Sequence, residues 1–156
     1  MKMKKLILSS IILLITTTSF SQIKVARVKT KAELLNEKYC RGLFKTFEGT
    51  YFDLVNDDVS LSAKGYNNIL DWLEGRVAGL QIYTARNNER IPFIRNSRAG
   101  IFVDELAVSP DFLNSLSVND IAMIKIIKGP FAGAINSPGG VIAIYTIRAD
   151  DEDEGE

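Results

Sequence analysis

Few residues in this sequence can do chemistry, and their types limit what they can do. There is no histidine and a single cysteine, Cys40. A Ser–His or Cys–His nucleophile pair therefore cannot be assembled. A zinc centre needs several Cys or His ligands, and one thiol does not supply them. One cysteine also excludes a disulfide within the chain, and Cys40 reads as a buried, idle thiol. The adjacent carboxylates Asp104 and Glu105 would point to opposite faces of a strand. That suits a surface or a loop anchor better than paired acid–base work. Arg86, Arg90, Arg95 and Arg98 lie close together in loop-rich sequence, as a solvated face or a contact for an anionic partner. Gly139-Gly140 leads into a strand, whereas a phosphate cradle leads into a helix. It reads as a turn that needs positive φ. Trp72, with Ile69 and Leu73, reads as core. No catalytic residue, metal ligand or cofactor is expected.

Short elements must position these residues. Apolar spacing predicts a helix over Lys31–Phe47, ended by Gly49. A short strand is expected within Tyr51–Leu61, with Asn56-Asp57-Asp58 as a turn. A second helix is expected over Tyr66–Val77, capped by Asn67 or Asn68 and stopped by Gly79. Strands follow at Leu80–Tyr83 and Ile91–Arg95, the latter limited by Pro92 to an edge or a strand start. Asn96–Ala99 reads as a loop, Gly100–Asp104 as a strand, and Leu106–Val108 as its extension. Pro110 suits the first position of a helical turn running to Leu116. Ile121–Lys128 reads as a strand with one exposed basic edge. Phe131–Ile135 reads as a helical turn, Ser137–Gly140 as a tight turn and Val141–Ile147 as a strong strand. The sum is an α+β domain with a mixed sheet of about five short strands and three or four helices.

Length and charge bound the rest. With 156 residues, 46% of them hydrophobic, the chain can build one real core. Formal net charge is zero, but three lysines sit at the start and six acids at the end. The interior carries only a small basic excess, too little to argue for nucleic acid. Met1–Lys5 is basic, Leu6–Ile15 is apolar, and Ser19 and Ser21 are small. This is the layout of a secretory signal peptide over 1–21, about half the length a membrane helix needs. Export to the periplasm is expected, with association with the outer membrane an open option and no transmembrane segment after signal removal. Residues 22–63 read as a partly helical extension, 64–148 as the domain, and 149–156 as a solvated, disordered acidic tail.

The order of several segments goes further. Asn68–Ile82 contains Leu73-Glu74-Gly75-Arg76-Val77-Ala78-Gly79-Leu80-Gln81-Ile82, Gly100–Asp104 reads GIFVD, and Ser117–Pro130 contains Asn119-Asp120-Ile121 and Lys128-Gly129-Pro130. These segments, with Ile94-Arg95, Phe131–Ile135 and Gly139–Thr146, resemble in order and spacing the plug domain of TonB-dependent receptors, especially the Bacteroidetes nutrient-uptake type. The matching family patterns are LxGRVAGxQV, IRIRG, PLYVVDG, NPNDIESIEVLKGP and SAAIYGSRGANGVIAITT. The resemblance covers about residues 64–148. It gives Gly75, Arg76, Gly79, Asp104, Asp120, Lys128, Gly129, Gly139 and Gly140 structural roles.

The chain also departs from the pattern. The Asp-Gly turn is replaced by Asp104-Glu105, so a tight turn is not predicted there. No glycine follows Arg95, and the loop before Val141 is about two residues shorter and lacks its Arg. No barrel follows. The resemblance implies a plug-like domain without transport activity of its own. It would act as an interaction module that meets an outer-membrane receptor barrel, another envelope protein or a second copy of itself through loops 84–99 and 133–140 and any exposed strand edge, with strand addition as a natural mode. A small-ligand binding protein for a glycan, peptide or chelate, and a remnant of a larger receptor, stay open beside it. Tyr83, Arg95 and Arg98 are the candidate binding residues in either case.

Overall fold

The computed structural model of the chain describes residues 27–46, 48–56, 58–129 and 137–148. The expected signal peptide over 1–21, the helical turn expected at Phe131–Ile135 and the expected acidic tail lie outside the described residues. The elements run α1 (Lys31–Tyr39), β1 (Thr50–Asp53), α2 (Val59–Ala63), α3 (Ile69–Leu73), β2 (Leu80–Thr84), β3 (Arg90–Ile94), β4 (Ser97–Val103), β5 (Leu106–Val108), 3-10 turns at Pro110–Asn114 and Val118–Asp120, β6 (Ile121–Lys128) and β7 (Gly140–Thr146). The strands form one mixed sheet in the order β1-β6-β7-β4-β3-β2, with β5 beside β4. All pairs are antiparallel except β4 and β7. The α+β class expected from the sequence is what forms.

The central strands β6 and β7 are buried on both faces, so their apolar residues do not alternate. One face packs under α2, α3 and the first 3-10 turn, around Trp72, Leu73, Leu113, Ile124 and Ile144. Trp72 is fully buried, stacks edge-on against Phe52 at 5.3 Å and donates its Nε1–H to Ser62 Oγ at 3.0 Å. The other face carries Phe102, Met123, Ile127, Val141, Ala143 and Tyr145, covered by Leu35, Tyr39, Cys40 and Phe44. Cys40 is a free, buried thiol.

Local chemistry sets several boundaries differently from the periodicity. Thr30 and Glu33 form a reciprocal capping box at the start of α1. The helix stops at Tyr39, well short of Phe47: Cys40 N–H still reaches Asn36 O, but those of Arg41, Gly42 and Leu43 bond to Glu105. Thr50–Asp53 alone of Tyr51–Leu61 is extended, and Val59–Ala63 is helical. Within Tyr66–Val77 only Ile69–Leu73 is helical. Asn68 is its cap, accepting from Leu70 N–H at 2.9 Å, and Glu74 and Gly75 end it before Gly79. Ser97–Ala99 is strand, not loop. A two-residue turn at Arg95-Asn96, both at positive φ, joins Ile94 to Ser97, so no glycine is needed after Arg95.

Pro92 sits in an inner strand, not on an edge. Ile82, opposite it, aims its N–H away from β3 toward Glu74. The Ile82–Pro92 pair is thus one that exchanges no hydrogen bonds, and β2 does not need the missing donor. The β6 strand has no exposed basic edge either: Lys125 is fully buried.

Candidate functional site

Among the described residues, α1 does not cover the face of β2, β3 and β4 that lies away from the Trp72 core. Opposed residues share a face, so the register Gln81–Phe93–Arg98 and Tyr83–Ile91 places these five side chains together. Tyr83 is 53% exposed and stacks edge-on against Phe93 with centroids 5.0 Å apart. Its hydroxyl meets Gln81 Oε1 at 3.2 Å. Arg98 stands beside this pair, exposed. The opposite side of the same strands, Leu80, Ile94, Ala99 and Ile101, is core.

The expected binding trio is therefore only partly brought together. Tyr83 and Arg98 share the open face. Arg95 lies in the β3–β4 turn, where its N–H donates to Gly79 O at 2.9 Å, at the opposite end of the ladder from Tyr83. Arg90 is drawn to the other side, in an ion pair with Asp71 at 2.6 Å. A cavity of about 280 Å³ opens next to Arg98, floored by Gly100 and Phe102 and walled by Ala107, Pro110 and Ser137. Tyr83 and Arg95 do not line it. The outer edge of β2 is occupied: the N–H of Leu80 donates to Val77 O at 3.0 Å and that of Ile82 to Glu74 Oε1 at 3.3 Å.

The residues singled out as structural stitch loops to strands. Arg76 donates to Trp72 O at 2.7 Å, its guanidinium 4.8 Å from the Trp72 ring. Lys128 donates to Ala78 O at 2.9 Å. The Asp120 carbonyl accepts from Ile147 N–H at 2.8 Å, and the N–H of Gly129 donates to Gly139 O at 3.2 Å. Gly139 runs so close to β4 that an added Cβ would lie 2.1 Å from Ser97 O, and one on Gly140, at φ +120°, 2.1 Å from Ile127 O. Gly75 and Gly79 adopt φ +80°.

A second cluster forms around Asp104 and Glu105, which anchor loops as their adjacent placement suggested. Asp104 and Glu105 form the two-residue turn between β4 and β5, with φ of +47° and +69°, so the tight turn exists without its glycine. Asp104 accepts from Thr146 N–H at 3.1 Å and Oγ1–H at 2.7 Å. Glu105 accepts the consecutive N–H groups of Arg41, Gly42 and Leu43 at 2.9, 3.0 and 3.1 Å and the Tyr145 hydroxyl at 3.3 Å. Burial pulls the Glu105 carboxyl up, but those three donors outweigh it and hold it below the usual carboxylate range. Behind it, burial pushes the Cys40 thiol and the Tyr145 phenol up and the Lys125 ammonium down. Lys125 Nζ donates to Phe44 O at 2.6 Å and Asn36 Oδ1 at 2.7 Å. The sequence signals for this cluster were that adjacency and a charged residue where a tight turn favours glycine. Among the described residues no three His, Cys, Asp or Glu side chains gather as a metal set, and no helix is long and apolar enough to cross a membrane.

No protein-family model matches the sequence, and no curated protein matches it. Solved structures do match in fold. A mutant of the ferric enterobactin receptor PfeA from Pseudomonas aeruginosa superposes with TM-score 0.52 at 19% identity, over 78% of this chain and 19% of the receptor. The ferric yersiniabactin uptake receptor FyuA from Yersinia pestis gives 0.51 at 19% identity, over 65% and 17%. The chain thus spans less than a fifth of the length of either receptor.

Proposed function

We propose that this chain is a non-catalytic interaction domain of the bacterial envelope, built on the plug fold of TonB-dependent receptors. It docks on an outer-membrane receptor or on a neighbouring envelope protein. The observation that carries this reading is the fold shared with part of two ferric-siderophore receptors. The docking face is the bare side of β2–β4, where Tyr83, Phe93 and Arg98 offer the aromatic and arginine chemistry that anchors protein interfaces. Docking is preferred to small-ligand binding because Tyr83, Arg95 and Arg98 do not close around a common cavity. Face-on docking is also preferred to strand addition at β2, whose edge Glu74 and Val77 already occupy.

The test is capture from detergent-solubilised envelope of the source cell, using the full chain as the cell processes it. Recovery of one outer-membrane receptor is expected, and its loss with Arg98→Glu and with Tyr83→Ala while circular dichroism stays unchanged. Recovery of no envelope protein by a folded domain overturns the reading. So does capture that both substitutions leave intact.

A further inference from the structure

The second face of the sheet is covered by a segment that precedes residues 64–148, where the sequence motifs fall. Residues 31–46 lay Leu35, Tyr39, Cys40 and Phe44 over Phe102, Met123, Val141 and Ala143. Three polar anchors reach up from the sheet to hold them. Glu105 takes the N–H groups of Arg41, Gly42 and Leu43. Lys125 donates to Asn36 and to the Phe44 carbonyl. Arg148 donates to the carbonyls of Lys38 and Tyr39 at 3.3 and 3.2 Å. Nearly all of these contacts end on the segment's backbone, so they fix its path rather than its side chains.

We propose that residues 31–46 form a strap that opens from the sheet as a unit, and that the Glu105 carboxylate is its proton-sensitive latch. The latch is built for charge: three consecutive N–H groups converge on one carboxylate, held out by a turn whose two residues both stand at positive φ. A protonated carboxyl loses the charge that makes such bonds strong and turns one acceptor oxygen into a donor. The groups facing it are Asp104 in the same turn, Arg41 from the strap, and Tyr145 and Arg148 from β7 and its end. Cys40 and Lys125 act on it from behind. Of these, only Asp104 is another carboxylate, and it is committed to Thr146. Within the strap, Glu33 is committed to the Thr30 cap, Lys31 pairs with Asp53 of β1 at 3.2 Å, and Glu37 is exposed in its pair with Lys29. Opening would bare the apolar patch of Phe102, Met123, Val141 and Ala143 without unpairing β6 from β7.

Hydrogen exchange on the full chain at pH 7 and at pH 3.5, corrected for intrinsic rates, tests this. In the wild type, the amides of α1 and of Arg41–Leu43 should lose protection on acidification while those of β6 and β7 keep theirs. Glu105→Gln should speed strap exchange at pH 7 by about tenfold, the scale of one bond to a charged group, and shrink the further effect of acid to the share carried by Asp53 on Lys31 and by the Glu33 cap. Glu37→Gln should change neither. A single common rate for strap and central strands overturns the unit. A Glu105→Gln protein that keeps the wild-type acid response overturns the latch. Should that variant lose protection in β6 and β7 as well, the wild-type pH series decides alone.

Discussion

Replacing Glu105 with glycine sets two effects of opposite sign against each other. The turn holds Glu105 at φ +69°, a conformation that costs a side chain about 1–2 kcal/mol and glycine almost nothing. Glycine's looser unfolded chain takes back about 0.5–1 kcal/mol of that relief. Against it stand three backbone N–H bonds at 2.9–3.1 Å and the Tyr145 hydroxyl. A bond to a charged group contributes about 1.5–3 kcal/mol. The three share one half-buried carboxylate that water can partly replace, so about 2–4 kcal/mol for the set is the reasonable scale. The clamp should win: Glu105→Gly is expected to destabilise by about 1.5–3 kcal/mol, lowering the melting temperature by roughly 5–12 °C for a domain of this size. Urea and thermal unfolding at pH 7, followed by circular dichroism, measure it. A glycine variant as stable as the wild type, or more so, would show that turn strain outweighs the clamp and refute the reasoning.

Other consequences follow from the same geometry. Glu105 is held below the usual carboxylate range, and Asp53 likewise: burial raises its pKa, but the N–H groups of Asn56 and Val55 and the Lys31 ammonium lower it more. Each therefore adds stability that is fully present above the unfolded carboxylate range of about 4 and is lost as pH falls through the depressed folded-state value. The urea midpoint should drop between pH 6 and pH 3, with a shallower drop in Glu105→Gln; equal slopes would contradict the assignment. Lys125→Ala leaves the Phe44 carbonyl and Asn36 Oδ1 without their donor and opens a void, for an expected loss of about 2–4 kcal/mol in unfolding free energy. Gly139→Ala drives a Cβ to 2.1 Å from Ser97 O, a backbone atom that cannot swing away. It should cost at least the roughly 1–3 kcal/mol of ordinary overpacking, and a loss under about 0.5 kcal/mol would show that the loop yields. Thr30→Ala removes half of the α1 capping box and should cost about 1 kcal/mol.

The sequence by itself determined the α+β class, the strands β6 and β7, an asparagine cap at 67 or 68, the burial of Trp72 and Cys40, and a turn at Gly139-Gly140 that needs positive φ, which Gly140 adopts. These follow from local composition, cap chemistry and the demands of backbone geometry, all carried by neighbouring residues. Tertiary structure alone decided the end of α1 at Tyr39, because the donors that would have continued it bond to a carboxylate more than sixty residues away. Only the tertiary structure turned the Lys125 stripe inward, where the strap supplies its acceptors, and split the arginine cluster so that Arg98 faces out beside Tyr83 while Arg90 pairs with Asp71. It also let Asp104 and Glu105 replace a glycine turn, because contacts from distant strand and strap offset the strain. Long-range bonds of this kind join residues far apart in the chain and leave no period in the sequence, so only the folded chain reveals them.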